Sequence, residues 1–356
     1  MKKKTVINNE YICPICRGDL SNGDLNKIEC IDCHKIFEIE KDIVKFTEKE
    51  VFYSIFSKKE AIDVAELAEK TTWQNAIDIF SKNLGNYTYR YITDESRADA
   101  FVYLPNAKYD TILDIGSGWG NLAVVLAQKC NKYYCADANI YNLKLLNQRL
   151  KNKNINNASL FYYDATGELR LPFKDESVDL VILNGVLEWM GNIDHQINPR
   201  DLQIIALKEI KRVLTKKGCV YIGIENRYSK GYFKGHRPHD ELPFIGLLPR
   251  PLANFITKLV KGERHGTYIY SLKGYQRLFK ESGFQITQKL MPLPDYRFPN
   301  TIVPLENKWL KRYWISKLKG SSSFKQQFFN FVGLKHFPFH LVTHSFIFLI
   351  EKSKEN

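Results

Sequence analysis

The segment that most constrains this fold is residues 112–121, which reads ILDIGSGWGN. An apolar run leads into three alternate glycines, Gly116, Gly118 and Gly120, and a helical pattern follows. Glycines in such a strand-to-helix turn leave the backbone bare, so that a ligand can approach it closely. One carboxylate, Asp114, lies in the strand shortly before the first glycine. An acid there would repel phosphate groups, whereas it suits a ligand that carries ammonium and sulfonium groups.

Strand and helix patterns alternate from Thr111 onward, with TILDIG, KYYCADA, ASLFYYDA, VDLVILN and CVYIGIEN as the strands. The alternation predicts an α/β fold with a parallel sheet, whose ligand binds outside the carboxyl ends of the strands. Asp137 ends the second strand, where an acid can accept hydrogen bonds from ribose hydroxyls. Asp164 ends the third strand, within reach of the amino edge of an adenine.

Residues 111–226 resemble a class I S-adenosylmethionine-dependent methyltransferase. The glycine motif, the strand-end acids and the stretch LPFKDESVDLVILNGVLEWM carry the resemblance. It implies a Rossmann-like, seven-stranded sheet, and the final SFIFLIEK fits the antiparallel seventh strand. The residues that it implies for binding S-adenosylmethionine are Asp114, Gly116, Gly118, Gly120, Asp137, Asp164, Ala165 and Asn184.

Four of the seven cysteines form two C-x-x-C pairs, Cys13 with Cys16 and Cys30 with Cys33. Two such pairs can place four thiolates around one structural zinc ion. The neighbouring His34 is an alternative ligand to the fourth cysteine. The surrounding stretch, from Tyr11 to Phe46, resembles the zinc ribbon of the tRNA-methyltransferase activator subunit. That resemblance implies a small β domain that assists a methyltransferase by packing on it.

The motifs predict three parts: a zinc ribbon at 1–48, a helical segment at 49–108 and the methyltransferase domain at 109–356. Substrate loops are expected as insertions at about 227–265 and 292–340. The helical segment fits two roles equally, a cap over the cofactor or a linker packed on the edge of the sheet.

Methyl transfer to a hydroxyl benefits from a base. His236, His239 and Glu188 are the predicted bases, and against each stands the alternative that it only orders its own loop. Asp240 is a further acid in the same loop as the histidines. Residues 225–227, at the end of the fifth strand, are expected to contact the acceptor or to tie down that loop.

The net charge of +13 fits either a polyanionic partner or a lysine-rich surface. The favoured function is methylation of a hydroxyl or similar nucleophile on a glycan or polar small metabolite. An RNA base methyltransferase is the alternative, although no Asn-Pro-Pro-Tyr type motif is present. A non-catalytic adapter is the third, and the intact Asp114, glycines and Asp137 argue against it.

No stretch of sequence reads as a membrane-spanning helix, and the lysines at the start of the chain precede no apolar stretch. We therefore expect a cytoplasmic protein without a signal peptide. The basic, aromatic C-terminal region, residues 301–356, is open to peripheral membrane contact.

Overall fold

The structure is a computed structural model that describes residues 11–23, 26–49, 52, 54–81, 85–163, 169–191, 197–237, 242–263, 265–307, 309 and 341–354. The chain divides into two compact units. The first contains residues 1–183 and 205–220, and the second contains residues 184–204 and 221–356.

The first unit contains most of the strands. They are β1 (Leu20–Asn22), β2 (Lys27–Cys30), β3 (Ile36–Glu40), β4 (Ile43–Lys45), β5 (Tyr109–Ile115), β6 (Cys130–Asp137), β7 (Ala158–Tyr162) and β8 (Val178–Asn184). Its helices are α1 (Lys58–Lys70), α2 (Trp73–Ser81), α3 (Gly85–Thr93), α4 (Ala123–Leu126) and α5 (Ile140–Asn152). Helix α6 (Pro199–Val213) and strand β9 (Leu214–Glu225) have residues in both units. The second unit adds α7 (Arg250–Lys261), α8 (Leu272–Glu281), β10 (Phe284–Leu293), β11 (Thr301–Pro304) and β12 (Ser345–Lys352).

The centre of the first unit is a parallel sheet, as the sequence predicts. Strands β7, β6, β5 and β8 lie side by side in that order and all run in the same direction. Their central residues, such as Leu113, Cys135 and Val181, are fully buried because both faces of a parallel sheet are covered. Asp114 pairs with Cys135, one strand residue away from the end of β5. The α/β, Rossmann-like fold is confirmed.

The ribbon extends this sheet rather than standing apart from it. Strand β4 pairs with β7 in parallel, with Val44 opposite Phe161, so the order becomes β1, β2, β3, β4, β7. The pairing covers the edge that β7 would otherwise expose. Tyr11 and Phe46 of the ribbon stack edge-on against Phe161, with ring centroids 5.8 and 5.9 Å away. Backbone pairing and aromatic packing therefore join the ribbon to the methyltransferase-like sheet.

The helical segment packs against the glycine loop. Trp119, in that loop, shares a buried cluster with Phe56, Trp73 and Ile92 of the segment. The Asn121 side chain donates hydrogen bonds to two backbone carbonyls of the segment, those of Tyr91 (3.2 Å) and Asp94 (2.7 Å). The helical segment therefore contacts the glycine loop, and the choice between a cap over the cofactor and a linker on the edge of the sheet stays open.

Arg149 on α5 hydrogen-bonds to both the helical segment and the glycine loop. The side chain is 1% exposed, and its guanidinium donates to the carbonyls of Ile92 (3.1 Å) and Trp119 (3.2 Å). It also pairs with Glu95 at 3.0 Å and stacks on Trp73. One buried cation therefore satisfies carbonyls on both the helical segment and the glycine loop.

In the second unit, β10 pairs antiparallel with both β11 and β12. The prediction of an antiparallel last strand is confirmed. Helix α8 packs on β10, and its Tyr275 and Phe279 contact Phe348 of β12.

We predict that Arg149→Met destabilises the protein by about 3–5 kcal/mol, because it leaves buried carbonyls of two segments without their cation, although Glu95 keeps Lys153 as a partner. Urea unfolding followed by circular dichroism measures the change. Lys151→Met is the matched control on the same helix, since Lys151 is half exposed and pairs with Asp42 at the surface. It should cost less than about 1 kcal/mol. Equal losses in the two variants would contradict the role of Arg149.

Candidate functional site

The glycine loop adopts a backbone that only glycine accepts readily. Gly116, Gly118 and Gly120 have φ values of 72°, 54° and 81°, all in the left-handed region. A Cβ atom on Gly118 would meet nothing within 4 Å, so the space beside it is open. A Cβ on Gly120 would lie 2.1 Å from Leu146 on α5. The second glycine therefore leaves room for a ligand, whereas the third permits close packing of a helix.

Asp137, at the end of β6, ties this loop to the neighbouring strand. One carboxylate oxygen accepts a hydrogen bond from the Gly118 amide at 2.8 Å, and the other accepts one from the Asn139 amide at 2.8 Å. Burial raises the pKa of Asp137 to about 6, although these amides act in the opposite direction. The Asn142 side chain donates a third hydrogen bond at 3.4 Å. A carboxylate has about four acceptor sites, so capacity for a ribose hydroxyl remains.

Asp114 is enclosed more completely. Its side chain is 2% exposed, and Tyr133 on β6 donates a hydrogen bond to it at 3.0 Å. Burial raises the pKa of Asp114 to about 7; the Tyr133 hydrogen bond opposes the shift, and the charge of Asp137 adds to it. A cationic ligand beside this carboxyl would favour its ionised form. The loop, Asp137 and Asp114 therefore fit S-adenosylmethionine, with its ribose and positive charges.

Three further residues are predicted to bind the cofactor. Asp164 and Ala165 lie outside the described residues. Asn184 ends β8 and belongs to the second unit, where its Oδ1 atom is buried and has no hydrogen-bond partner among the described residues. A Cβ on Gly223 of β9 would meet that atom at 2.1 Å. The cofactor role of these three residues stays a prediction.

The predicted bases differ in their surroundings. Glu188 is fully buried in the short 3-10 helix Leu187–Gly191, and His236 is exposed. His239 and Asp240 lie outside the described part of the chain. Their catalytic roles stay predictions.

The four ribbon cysteines form one cluster in which every pair of sulfur atoms lies within 4.8 Å. Cys13 and Cys33 are 3.6 Å apart, and Cys16 and Cys30 are 3.4 Å apart. Four sulfurs about 2.3 Å from a single zinc ion would be about 3.8 Å from one another. The cluster therefore fits tetrahedral zinc.

The two C-x-x-C segments have the same backbone conformation. Arg17 and His34, each directly after the second cysteine of its pair, are left-handed with φ values of 66° and 56°. Their amides donate to the carbonyls of Cys13 and Cys30 respectively, at 2.8 and 3.0 Å. The His34 imidazole points to solvent and contacts Glu29 at 3.2 Å. The geometry therefore favours Cys33 over His34 as the fourth ligand.

The ribbon thiols have unequal acidity. Burial raises the pKa of Cys13 to about 12. Burial acts the same way on Cys30, but hydrogen bonds from the Cys33 and Asp32 amides and from nearby thiols lower its pKa to about 7. A bound cation is needed to ionise all four thiols together, since metal binding favours the thiolate.

A second polar cluster, which we call the Glu225 cluster, comprises Glu225, Tyr232, Arg297 and His344 in the second unit. Glu225, the last residue of β9, is 5% exposed and accepts a hydrogen bond from the Tyr232 hydroxyl. Its other oxygen lies 3.6 Å from the Arg297 guanidinium. His344 directly precedes β12, and its carbonyl accepts a hydrogen bond from the residue after Glu225. The cluster therefore gathers a carboxylate, a phenol, a guanidinium and an imidazole at the end of β9.

Sequence reasoning had singled out Glu225 but none of its partners. Asn226 and Arg227 were expected either to contact the acceptor or to fix the loop after the fifth strand. Both side chains hydrogen-bond to backbone carbonyls of other segments, which fits the second role. Asn226 donates to the carbonyls of Leu341 and Thr343, at 2.8 and 2.9 Å. Arg227 donates to the carbonyls of residues 246 and 248.

Comparisons with known proteins agree with this geometry. The sequence profile of the methyltransferase domain family matches residues 113–222, which run from β5 into β9. No curated protein sequence matches the chain.

Three solved structures illustrate the similarity to known proteins. The YcgJ protein from Bacillus subtilis is 16% identical, with a TM-score of 0.40 over 73% of this chain and 99% of that one. The complex of the Haloferax volcanii Trm112 methyltransferase activator with a methyltransferase is 14% identical, with a TM-score of 0.44 over 78% and 98%. Haemonchus contortus phosphoethanolamine N-methyltransferase 2, solved with S-adenosyl-L-methionine, is 15% identical, with a TM-score of 0.42 over 82% and 60%.

We predict one zinc ion per chain, measured by elemental analysis of freshly purified protein. Cys30→Ser should abolish stoichiometric zinc and lower the unfolding temperature, because a structural zinc contributes much of the folding free energy of a small ribbon. Cys130→Ala is the matched control, since Cys130 lies outside the cluster and is buried. Full zinc content in Cys30→Ser would contradict the site.

We also predict that affinity for S-adenosylmethionine rises from about pH 6 to about pH 8. The free protein holds a proton on Asp114 up to a pKa of about 7, and the cationic ligand favours its release. The unfolded chain loses that proton near pH 4, so the same group makes the free protein less stable as pH rises from about 4 to about 7.

Calorimetry across this pH range measures the effect. Asp114→Asn should bind more weakly and lose most of the pH dependence. A pH profile as steep as that of the unchanged protein would contradict the assignment.

The family match includes the end of β5, the glycine loop and the strand-end Asp137, which together form the predicted cofactor site and are called the cofactor cradle below. The cradle is open at Gly118 and suits a ligand with a ribose and positive charge. Residues 113–222 are accordingly a methyltransferase domain, and a four-cysteine ribbon precedes it in the chain.

Proposed function

We propose that this enzyme methylates a hydroxyl, or a similar nucleophile, on a glycan or polar small metabolite. The observation that carries the proposal is the Glu225 cluster. Its carboxylate, phenol, guanidinium and imidazole are the groups that hydrogen-bond to hydroxyl-rich ligands. Glu225 and His344 also lie where acceptors of open α/β enzymes bind, beyond the carboxyl end of a sheet strand.

His344 is the base that we favour. A hydroxyl is a weak nucleophile, so removal of its proton assists its attack. Burial lowers the pKa of His344, while the nearby carboxylates of Glu225 and Asp295 oppose the shift. The imidazole is therefore neutral at physiological pH and able to accept a proton. Its Nδ1 atom is buried and has no hydrogen-bond partner among the described residues. The exposed His236 is the alternative.

The remaining residues of the Glu225 cluster position the acceptor. Glu225 is held between the Tyr232 hydroxyl and the Arg297 guanidinium, so the position of its carboxylate is fixed. Such a carboxylate can accept a hydrogen bond from a second acceptor hydroxyl, and Arg297 can donate to an acceptor oxygen. Both contacts would orient the reacting hydroxyl toward the base.

Bound S-adenosylmethionine supplies an electrophilic methyl group on a sulfonium. Asp137 would hold its ribose, and ionised Asp114 would stabilise its positive charge. Methyl transfer to a hydroxyl forms an oxygen–carbon bond as the carbon–sulfur bond breaks, and His344 would take up the proton that the hydroxyl loses. The protein contributes mainly alignment and exclusion of water.

We predict that His344→Ala lowers turnover about a hundredfold or more on the preferred hydroxyl acceptor, because general bases contribute about that factor. The assay transfers labelled methyl from S-adenosylmethionine to a panel of monosaccharides, nucleotide sugars, oligosaccharides and bulk transfer RNA. Affinity for S-adenosylmethionine should stay within about twofold of the unchanged protein. The rate of the unchanged enzyme should rise with pH until the imidazole is neutral, and that limb should disappear in the variant.

His236→Ala is the matched control, since His236 is an exposed histidine of the same unit. It should keep full activity. Normal turnover in His344→Ala together with loss of turnover in His236→Ala would assign the role of base to His236. Activity confined to RNA would overturn the proposed acceptor class.

A further inference from the structure

Helix α7 turns its apolar side toward solvent. Leu252, Phe255, Leu259 and Val260, which we call the α7 apolar face, are 44%, 59%, 71% and 62% exposed. Their spacing places them on one side of the helix. The residues that α7 buries are the small Ala253 and the polar Thr257. This is the reverse of an ordinary surface helix, whose apolar side faces the core.

The chemistry around the α7 apolar face is basic. Residues 242–262 contain no aspartate or glutamate, and the first acid after α7 is Glu263. The segment carries three cations, Arg250, Lys258 and Lys261, and the two lysines are exposed. In the sequence of α7, Lys258 lies directly before Leu259, and Lys261 lies directly after Val260.

Two exposed phenylalanines lie on neighbouring elements. Phe244, 49% exposed, directly precedes the 3-10 helix Ile245–Leu247, which packs against α7. Phe233, 57% exposed, lies on the 3-10 helix Tyr232–Lys234, which packs against Ile245–Leu247. The apolar character of this side of the second unit is therefore not confined to a single helix.

We propose that the α7 apolar face docks on a membrane surface rich in anionic lipid. The apolar side chains would enter the layer to a depth of about 5–10 Å, while the lysines stay at the phosphates. Charge complementarity selects this occupant over a protein. Protein interfaces are depleted of lysine around their apolar cores, whereas lysines accompany the apolar side of helices that lie on membranes.

The docking is peripheral. Among the described helices, none combines the length and the apolar character that crossing a bilayer requires. The basic C-terminal region, which the sequence also offered for membrane contact, lies largely outside the described residues, so the proposal rests on α7 alone.

The test is sedimentation of the full chain with vesicles. Vesicles of phosphatidylcholine with about one-third phosphatidylglycerol should bind the protein, and pure phosphatidylcholine should bind it at least tenfold more weakly. Binding should weaken as salt rises, because the lysine contribution is screened. Lys258→Gln and Lys261→Gln should each reduce binding about fivefold, the factor expected of one cation at an anionic surface.

The decisive variant is the double change Phe255→Ser and Leu259→Ser, which should reduce vesicle binding at least tenfold. Both side chains are exposed, so the unfolding temperature should not fall. The matched control is Ile79→Ser with Val102→Ser, which removes two exposed apolar side chains of the first unit, 46% and 81% exposed. It should bind vesicles normally.

Three results would overturn the proposal. One is absence of binding to anionic vesicles. Another is binding that survives the double change, which would assign the contact to another part of the chain. The third is a change of oligomeric state, without a change in vesicle binding, when the α7 apolar face is altered. That result would make it an interface with a second copy. Vesicle binding does not depend on methyl transfer, so its outcome is separate from that of the proposed function.

Discussion

The hydrogen bond from the Gly118 amide to the Asp137 carboxylate is the contact on which the cofactor cradle depends. It joins the glycine loop, at a residue without a side chain, to the end of the adjacent strand. Trp119 and Asn121, next in the chain, anchor the helical segment to the same loop, and buried Arg149 bonds to both parts. A loop of three glycines would be costly to order alone, since glycine loses the most conformational entropy. Contacts on both sides offset that cost.

The ribbon shows a second use of backbone pairing. It has too few residues for a core of its own, and its strands are short, so a metal site and an external sheet both stabilise it. Strand β4 completes the hydrogen bonding of β7, and the rings of Tyr11 and Phe46 fill the layer above Phe161. The ribbon and the strands of the methyltransferase domain are thus parts of one sheet in a single chain.

The Glu225 cluster illustrates what sequence patterns miss. Glu225 stands at the end of a recognisable strand, so its position was visible in the sequence. Its partner His344 comes far later in the chain, directly before β12. The sequence predicted that this last strand is antiparallel, but it did not predict which strands lie beside it. The pKa of His344 depends on burial and on charges from other loops, none of which has a local sequence signal. The predicted His236, chosen because it follows the fifth strand, is exposed.

The sequence by itself determined the parts whose chemistry is local. Two cysteine pairs at fixed spacing specify a metal site, and an acid followed by alternate glycines specifies a strand, a turn and a bare backbone for a ligand. Alternating strands and helices specify a parallel sheet. Tertiary structure alone decided that the ribbon pairs with β7, that Arg149 joins the helical segment to the glycine loop, and that α7 exposes its apolar side. Each of these depends on residues distant in sequence, and the burial of an amphipathic face is set by what packs against it rather than by its own periodicity.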